Sequence, residues 1–174
     1  MKKIVNTCCL CALVAGFGVP MQAQMTRQQA VAGMRKVEAK EMDPTYTTPA
    51  PTGQRLVDEA LAKHPEVILM GIHAAPPGHK NVIIASNFGR IGKIGDEDDM
   101  DVIRTGTPKL EVPPKADRFE VEFALHDKAG KTVGAVGVVF NYKMGDDKVA
   151  LKKIADQIAA EMQAQLPTAK SLFE

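Results

Sequence analysis

RFEVEFALHDKAGKTVGAVGVVFNY, from Arg118 to Tyr142, reads as a β-hairpin. In its first arm Phe119, Val121, Phe123 and Leu125 alternate with Arg118, Glu120, Glu122 and His126, the period of an antiparallel strand with one covered and one solvated face. Asp127-Lys128-Ala129-Gly130 makes the turn, with Gly130 suited to a left-handed position. The return arm, KTVGAVGVVFNY, is apolar on both faces and so belongs nearer the middle of a sheet. Gly134 and Gly137 leave its backbone open to close approach by a helix or a ligand.

Outward from the hairpin, the elements fall into place on both sides. Downstream, Leu151, Ile154, Ala155, Ile158, Ala159 and Met162 repeat as one buried stripe, predicting a helix from Asp146 or Asp147 to about Gln165, ended by Pro167. Upstream, Lys109 to Val112 is a short strand candidate, broken off by Pro113-Pro114. Before it, NVIIASN (Asn81 to Asn87) reads as a strand, FGRIGKIG as a loop, and DEDDMDVIRTG as a helix. Asp96 or Asp98 caps that helix and Gly106 closes it. EVILMGIHA, Glu66 to Ala74, is apolar on both parities and predicts a strand covered on both faces, antiparallel to NVIIASN across the turn Pro76-Pro77-Gly78. A helix over Gln54 to Lys63 precedes it, and a Pro/Thr-rich linker from Asp43 to Gly53 precedes that. MTRQQAVAGMRKVEAKE, Met25 to Glu41, predicts a first helix with a Thr26/Gln29 capping box.

The first 23 residues, with Lys2 and Lys3 before an apolar run and Ala23 at a small-residue end, predict a cleaved signal peptide. The expected organisation is signal peptide 1–23, helix and linker 24–53, an α+β domain 54–166 with its C-terminal helix, and a tail 167–174. Cleavage removes Cys8, Cys9 and Cys11, and with them any disulfide, thiolate or cysteine metal site. It also removes two lysines, leaving 20 basic residues from 22 against 21 acidic ones, a net of −1. No later segment is long and apolar enough to span a membrane, so the expected location is periplasmic or secreted. Near-neutral charge and the absence of Trp argue against nucleic acid as a partner.

Gly89, Gly92 and Gly95 flank Arg90 and Lys93 at steps of three. Such a loop can offer backbone N–H groups to an anion and an arginine fork to a carboxylate; it can equally be a surface turn with solvated basic residues. The spacing is neither a dinucleotide fingerprint nor a phosphate loop. The acidic run Asp96 to Asp101 lacks the alternating ligands and central glycine of a calcium loop, and is accounted for as a helix start. His64, His73, His79 and His126 form no metal motif, and no CxxCH is present, so neither metal nor cofactor is expected. Ser86 lies in no nucleophile elbow, and Glu120 and Glu122 are expected on a solvated strand face, which makes an enzyme the poorer reading.

The order of elements, NVIIASN running into GRIGK, and AGKTVGAVGVVFNY as a final hairpin resemble the single Cache domain of the PAS-like extracellular sensors. The likeness covers about Gln54 to Tyr142. It implies an α+β fold, an antiparallel five-stranded sheet with flanking N- and C-terminal helices. It further implies a sensor that captures a small anionic or zwitterionic organic ligand without catalysis, between the helical crossing and the sheet. Asn87, Arg90 and Arg104 would line that space, with His73 and Tyr142 on neighbouring strands. Many such domains sit between two membrane helices, and only one N-terminal apolar run is seen here, so a membrane receptor, kinase or transporter is the expected signalling partner. Asn141 departs from the acidic residue that often closes the family's last strand. The alternative is a periplasmic protein-interaction module, its pocket plugged by Phe88 or Met100 with Arg90 exposed.

Overall fold

The computed structural model describes residues 24–174, so the expected signal peptide lies outside the described residues. The hairpin forms as its alternation predicts. Strand β4 (Arg118–His126) turns through Asp127, whose carboxylate accepts the Ala129 and Lys131 N–H groups at 3.0 Å each, into β5 (Thr132–Asn141). Around it stand β1 (Val67–Ala74), β2 (Val82–Ser86) and β3 (Lys109–Glu111), in the spatial order β2-β1-β5-β4-β3 with every pairing antiparallel. The doubly apolar β5 is the central strand, as a strand covered on both faces must be.

One face of the sheet is dry. Helices α2 (Pro51–Lys63) and α4 (Lys148–Gln163) bury Leu56, Val57, Ile158 and Met162 against Met70, Ile72, Phe119, Val121, Val138 and Phe140. Each such side chain contributes about 1.5–3 kcal/mol by leaving water. The other face carries α1 (Arg27–Ala32), whose Ala30 packs on Ile68, Leu69 and Val139, and α3 (Glu97–Thr105), whose Val102 packs on Ala124 and Ala135. Asp96 caps α3 in a capping box with Asp99, and Gly106 ends it in the left-handed conformation (φ 69°), as the sequence predicts. Among the described residues no helix is long and apolar enough to cross a membrane.

Two boundaries differ from expectation. The first helix spans only Arg27–Ala32 rather than Met25 to Glu41, although its Thr26/Gln29 box forms. Gly33 ends it, since glycine inside a helix costs about 1 kcal/mol, and Ala39–Glu41 make a separate 3₁₀ turn. Helix α2 begins at Pro51 rather than Gln54, because proline at the first helical position lacks only an N–H that would have no helical partner.

Candidate functional site

Between the sheet and its thinner cover lies a cleft of about 240 Å³. Its floor is set by strand register. Leu69, Val139, Glu120 and Glu111 form one cross-strand row, and Gly71, Gly137, Glu122 and Lys109 form the next. The floor is therefore apolar under β1 and β5 and acidic under β4 and β3. The two glycines face each other at the centre and keep it low. A Cβ on Gly71 would stand 2.8 Å from the Phe88 ring, and one on Gly137 would stand 3.2 Å from the Glu120 carboxylate.

The wall comes from residues 87–99. Here the chain folds back along β2, and the N–H groups of Gly92, Ile94 and Gly95 are already spent. Gly92 N–H donates to the Ile83 carbonyl, Ile94 to Glu41 and Gly95 to Asn81, at 2.8–3.0 Å. Lys93 in turn gives its carbonyl to Ile83 N–H at 2.8 Å. The glycines thus serve turns and close packing, with φ of 71° at Gly89 and 87° at Gly92, and the N–H groups of Gly92 and Gly95 are taken up by the chain itself. The helix start brings Asp99 down onto the floor, 3.4 Å from His73 Nδ1, while its carboxylate also accepts the Asp96 N–H at 2.8 Å.

Buried charge defines this site. His73, Lys93, Asp99 and Glu122 are 9%, 9%, 7% and 8% exposed. Lys93 reaches Asp96 at 3.5 Å, Lys109 is paired with Asp98, and Arg118 with Asp117 at 3.3 Å. Among the described residues, neither Glu120 nor Glu122 forms an ion pair, and His73 Nδ1 and Glu122 Oε1 have no hydrogen-bond partner. Burial, with the Glu111 and Asp99 carboxylates beside it, raises the Glu120 carboxyl to about 7. Burial and the adjoining Asp99 raise Glu122 to about 9. Burial pushes the His73 imidazolium down against the opposing pull of Asp99, so the ring is held neutral.

The residues expected as liners separate. His73 and Arg90 line the cleft. Arg90 adopts φ 63°, donates to the Arg35 carbonyl and lies 6.0 Å over the Phe88 ring. Asn87 does not reach the cleft; its amide completes the edge of β1, accepting from Met70 N–H at 2.9 Å and donating to the Ile68 carbonyl at 3.0 Å. Arg104 points outward on α3 and pairs with Asp101 at 2.6 Å. Tyr142 packs on the dry side, its ring 6.0 Å from that of Phe119.

Glu120 and Glu122 correct the sequence reading in the opposite direction. A strand facing a polar cavity alternates in the same way as one facing solvent, so their period could not tell the two apart. The signal that was present is positional: Gly137 on the neighbouring strand opens room beside an i,i+2 pair of glutamates. Phe88 is half-buried and forms a wall of the cleft without closing it, while Met100 is exposed.

No family model matches the chain, and no curated protein matches it. Among solved structures the chain is similar to a GAF domain at 10% identity, over 80% of this chain and 86% of that one, with a TM-score of 0.48. It is similar to the type II free methionine-R-sulfoxide reductase of Thermoplasma acidophilum at 15% identity, over 71% and 94%, with a TM-score of 0.47. It is also similar to the C-terminal domain of the E. coli transcriptional regulator KdgR at 10% identity, over 68% and 98%, with a TM-score of 0.46. These are likenesses in the arrangement of sheet and helices.

Proposed function

We propose that this chain is an exported, Cache-like binding module that captures a small organic molecule and presents the bound form to a membrane receptor, kinase or transporter, without catalysing a reaction. The observation that carries the reading is a cleft whose floor holds unpartnered polar atoms on two buried side chains, His73 and Glu122. A polar group left unpaired away from water costs about 1–3 kcal/mol, and a ligand that satisfies it recovers that cost. The Cache-like residues, NVIIASN into GRIGK, supply β2 and the wall of this same cleft. Export rests on the basic and apolar character of the first 23 residues.

The volume bounds the ligand. At about 240 Å³ the cleft holds roughly eight waters' worth of liquid, less than the ~300–1,000 Å³ of pockets for drug-sized molecules. The interaction-module reading needs Phe88 or Met100 to fill the space, and about 240 Å³ remains beside the Phe88 ring.

A thermal-shift screen of the protein against small amines, amino acids, carboxylates and neutral polyols tests the proposal. A ligand at a hundred times its Kd stabilises by about 2.7 kcal/mol, a rise of roughly 5–10 °C for a chain of this size. A screen in which no compound of any charge moves the melting temperature overturns it.

A further inference from the structure

We infer that the cleft takes a small organic cation, an amine or amidine carrying a short apolar group. The inference rests on the binding-module reading and adds the sign of the ligand's charge, a net positive one in place of the anionic or zwitterionic ligand that the resemblance implied.

Charge pairing decides it. The basic side chains of the cleft are already engaged: Lys93 with Asp96, Lys109 with Asp98, Arg118 with Asp117, and Arg90 with the Arg35 carbonyl. Glu111 reaches Lys109 at 3.9 Å, but Glu120 and Glu122 on the floor have no such partner among the described residues. Glu120 stands directly opposite Glu111 in the β3–β4 register, and like charges so placed repel. Glu122 has an unpartnered carboxylate oxygen while more than nine-tenths buried, beside Asp99. An anion entering here would meet the Glu120 and Glu122 carboxyls on the floor, beside basic side chains that are already paired. A cation would supply what Glu120 and Glu122 lack, in a partly desolvated site where such pairing is strongest.

Shape agrees with charge. Along the floor, the row that ends in Glu120 begins with Leu69 and Val139, and Phe88 and Met34 stand beside it as an apolar wall. A ligand matching both halves has a cationic head over β4 and a short hydrocarbon body over β1. The bare Gly71–Gly137 pair lies under the join between them, where any side chain would fill the space the ligand needs. His73 Nδ1, unpartnered at the other end, can meet a second polar group on the same molecule.

Isosteric probes on the full chain at pH 8 separate charge from shape. Three sets serve: benzylammonium, benzyl alcohol and benzoate; butylammonium, butanol and butyrate; and amidine, amide and carboxylate forms of benzene. Calorimetry is expected to show at least one cation binding about tenfold or more tightly than its neutral and anionic partners. Glu120→Gln, which keeps the shape and removes the charge, and Glu122→Gln, which removes the carboxyl that a bound cation would ionise, should each weaken that cation by about tenfold or more. Circular dichroism reports whether each variant is folded, and Glu120→Gln, at a half-buried position, carries the test if Glu122→Gln is not. A neutral or anionic partner binding as tightly as its cation overturns the cation inference and leaves the binding-module reading standing. Cation binding unchanged in the folded variants overturns the placement on Glu120 and Glu122. No response from any set overturns the cation inference, and the binding-module reading then stands or falls with the thermal-shift screen.

Discussion

The two faces of this sheet are built from the same strands and depart from each other at every second residue. On the side of α2 and α4, Phe119, Val121, Phe123 and Phe140 meet helices that cover them completely. On the other side the alternate residues of the same strands are Glu120, Glu122, Gly137 and His73, and the cover is a six-residue helix, a loop and the first turn of α3. The dry face gains from packing, which is non-directional and tolerant of exchange among apolar residues of similar volume. The wet face holds carboxyls that burial works against, and nothing in its own packing offsets the cost. One face holds the fold together, and the other holds groups the fold alone does not need.

The largest effect is expected on the dry face. Phe140→Ala should cost about 3–5 kcal/mol in urea unfolding, because the ring is fully buried and its cavity cannot collapse under two helices. A loss below about 1 kcal/mol would mean that the dry face is not the stabilising one. Next, Gly71→Ala on the wet face places a methyl 2.8 Å from the Phe88 ring and should cost about 1–3 kcal/mol. Phe88→Leu in the same chain should return most of that loss, and a double-mutant cycle without coupling would break the assigned contact.

A smaller effect concerns pH. Glu120 and Glu122 keep their protons in the folded chain up to about 7 and about 9, whereas the unfolded chain releases them near the model-peptide value of 4.5. Their contribution is whole below that value and is lost as pH rises through the folded values. Between pH 7 and 9 the wild-type urea midpoint should fall, by up to roughly 1 kcal/mol per pH unit after solvent screening, and Glu122→Gln should be flatter over that window. A wild-type midpoint that climbs there would remove the buried protonated carboxyl from the account. The smallest effect belongs to Arg104→Ala, on the solvent side of α3. Its pair with Asp101 is exposed, so stability should change by no more than about 0.5 kcal/mol and the response to any cleft ligand should be unaltered.

Most of the fold was legible in the sequence because apolar periodicity is the physical cause of layering. The alternation of Arg118 to His126, the doubly apolar β5 and the stripe of α4 each predict the element found. The first helix was overextended because Val31, Met34 and Val37 keep a helical period past Gly33, where the chain stops being helical. The site was less legible, for two reasons. A carboxylate pair at i,i+2 reads the same whether it meets solvent or a cavity. Donors such as the N–H groups of Gly92 and Gly95 look free in a sequence until the strand that consumes them is in place. Asn87 likewise resembles a ligand residue, and its amide is used up closing the edge of β1.

The Phe88 ring seated over Gly71 has an optical consequence. The chain contains no tryptophan, and its two tyrosines, Tyr46 and Tyr142, pack with the dry core away from the cleft. Intrinsic emission is therefore dark to whatever enters the site. A fluorophore introduced as Phe88→Trp would occupy the wall itself, with no other tryptophan to obscure it, and its colour and intensity would follow the filling of the cleft directly.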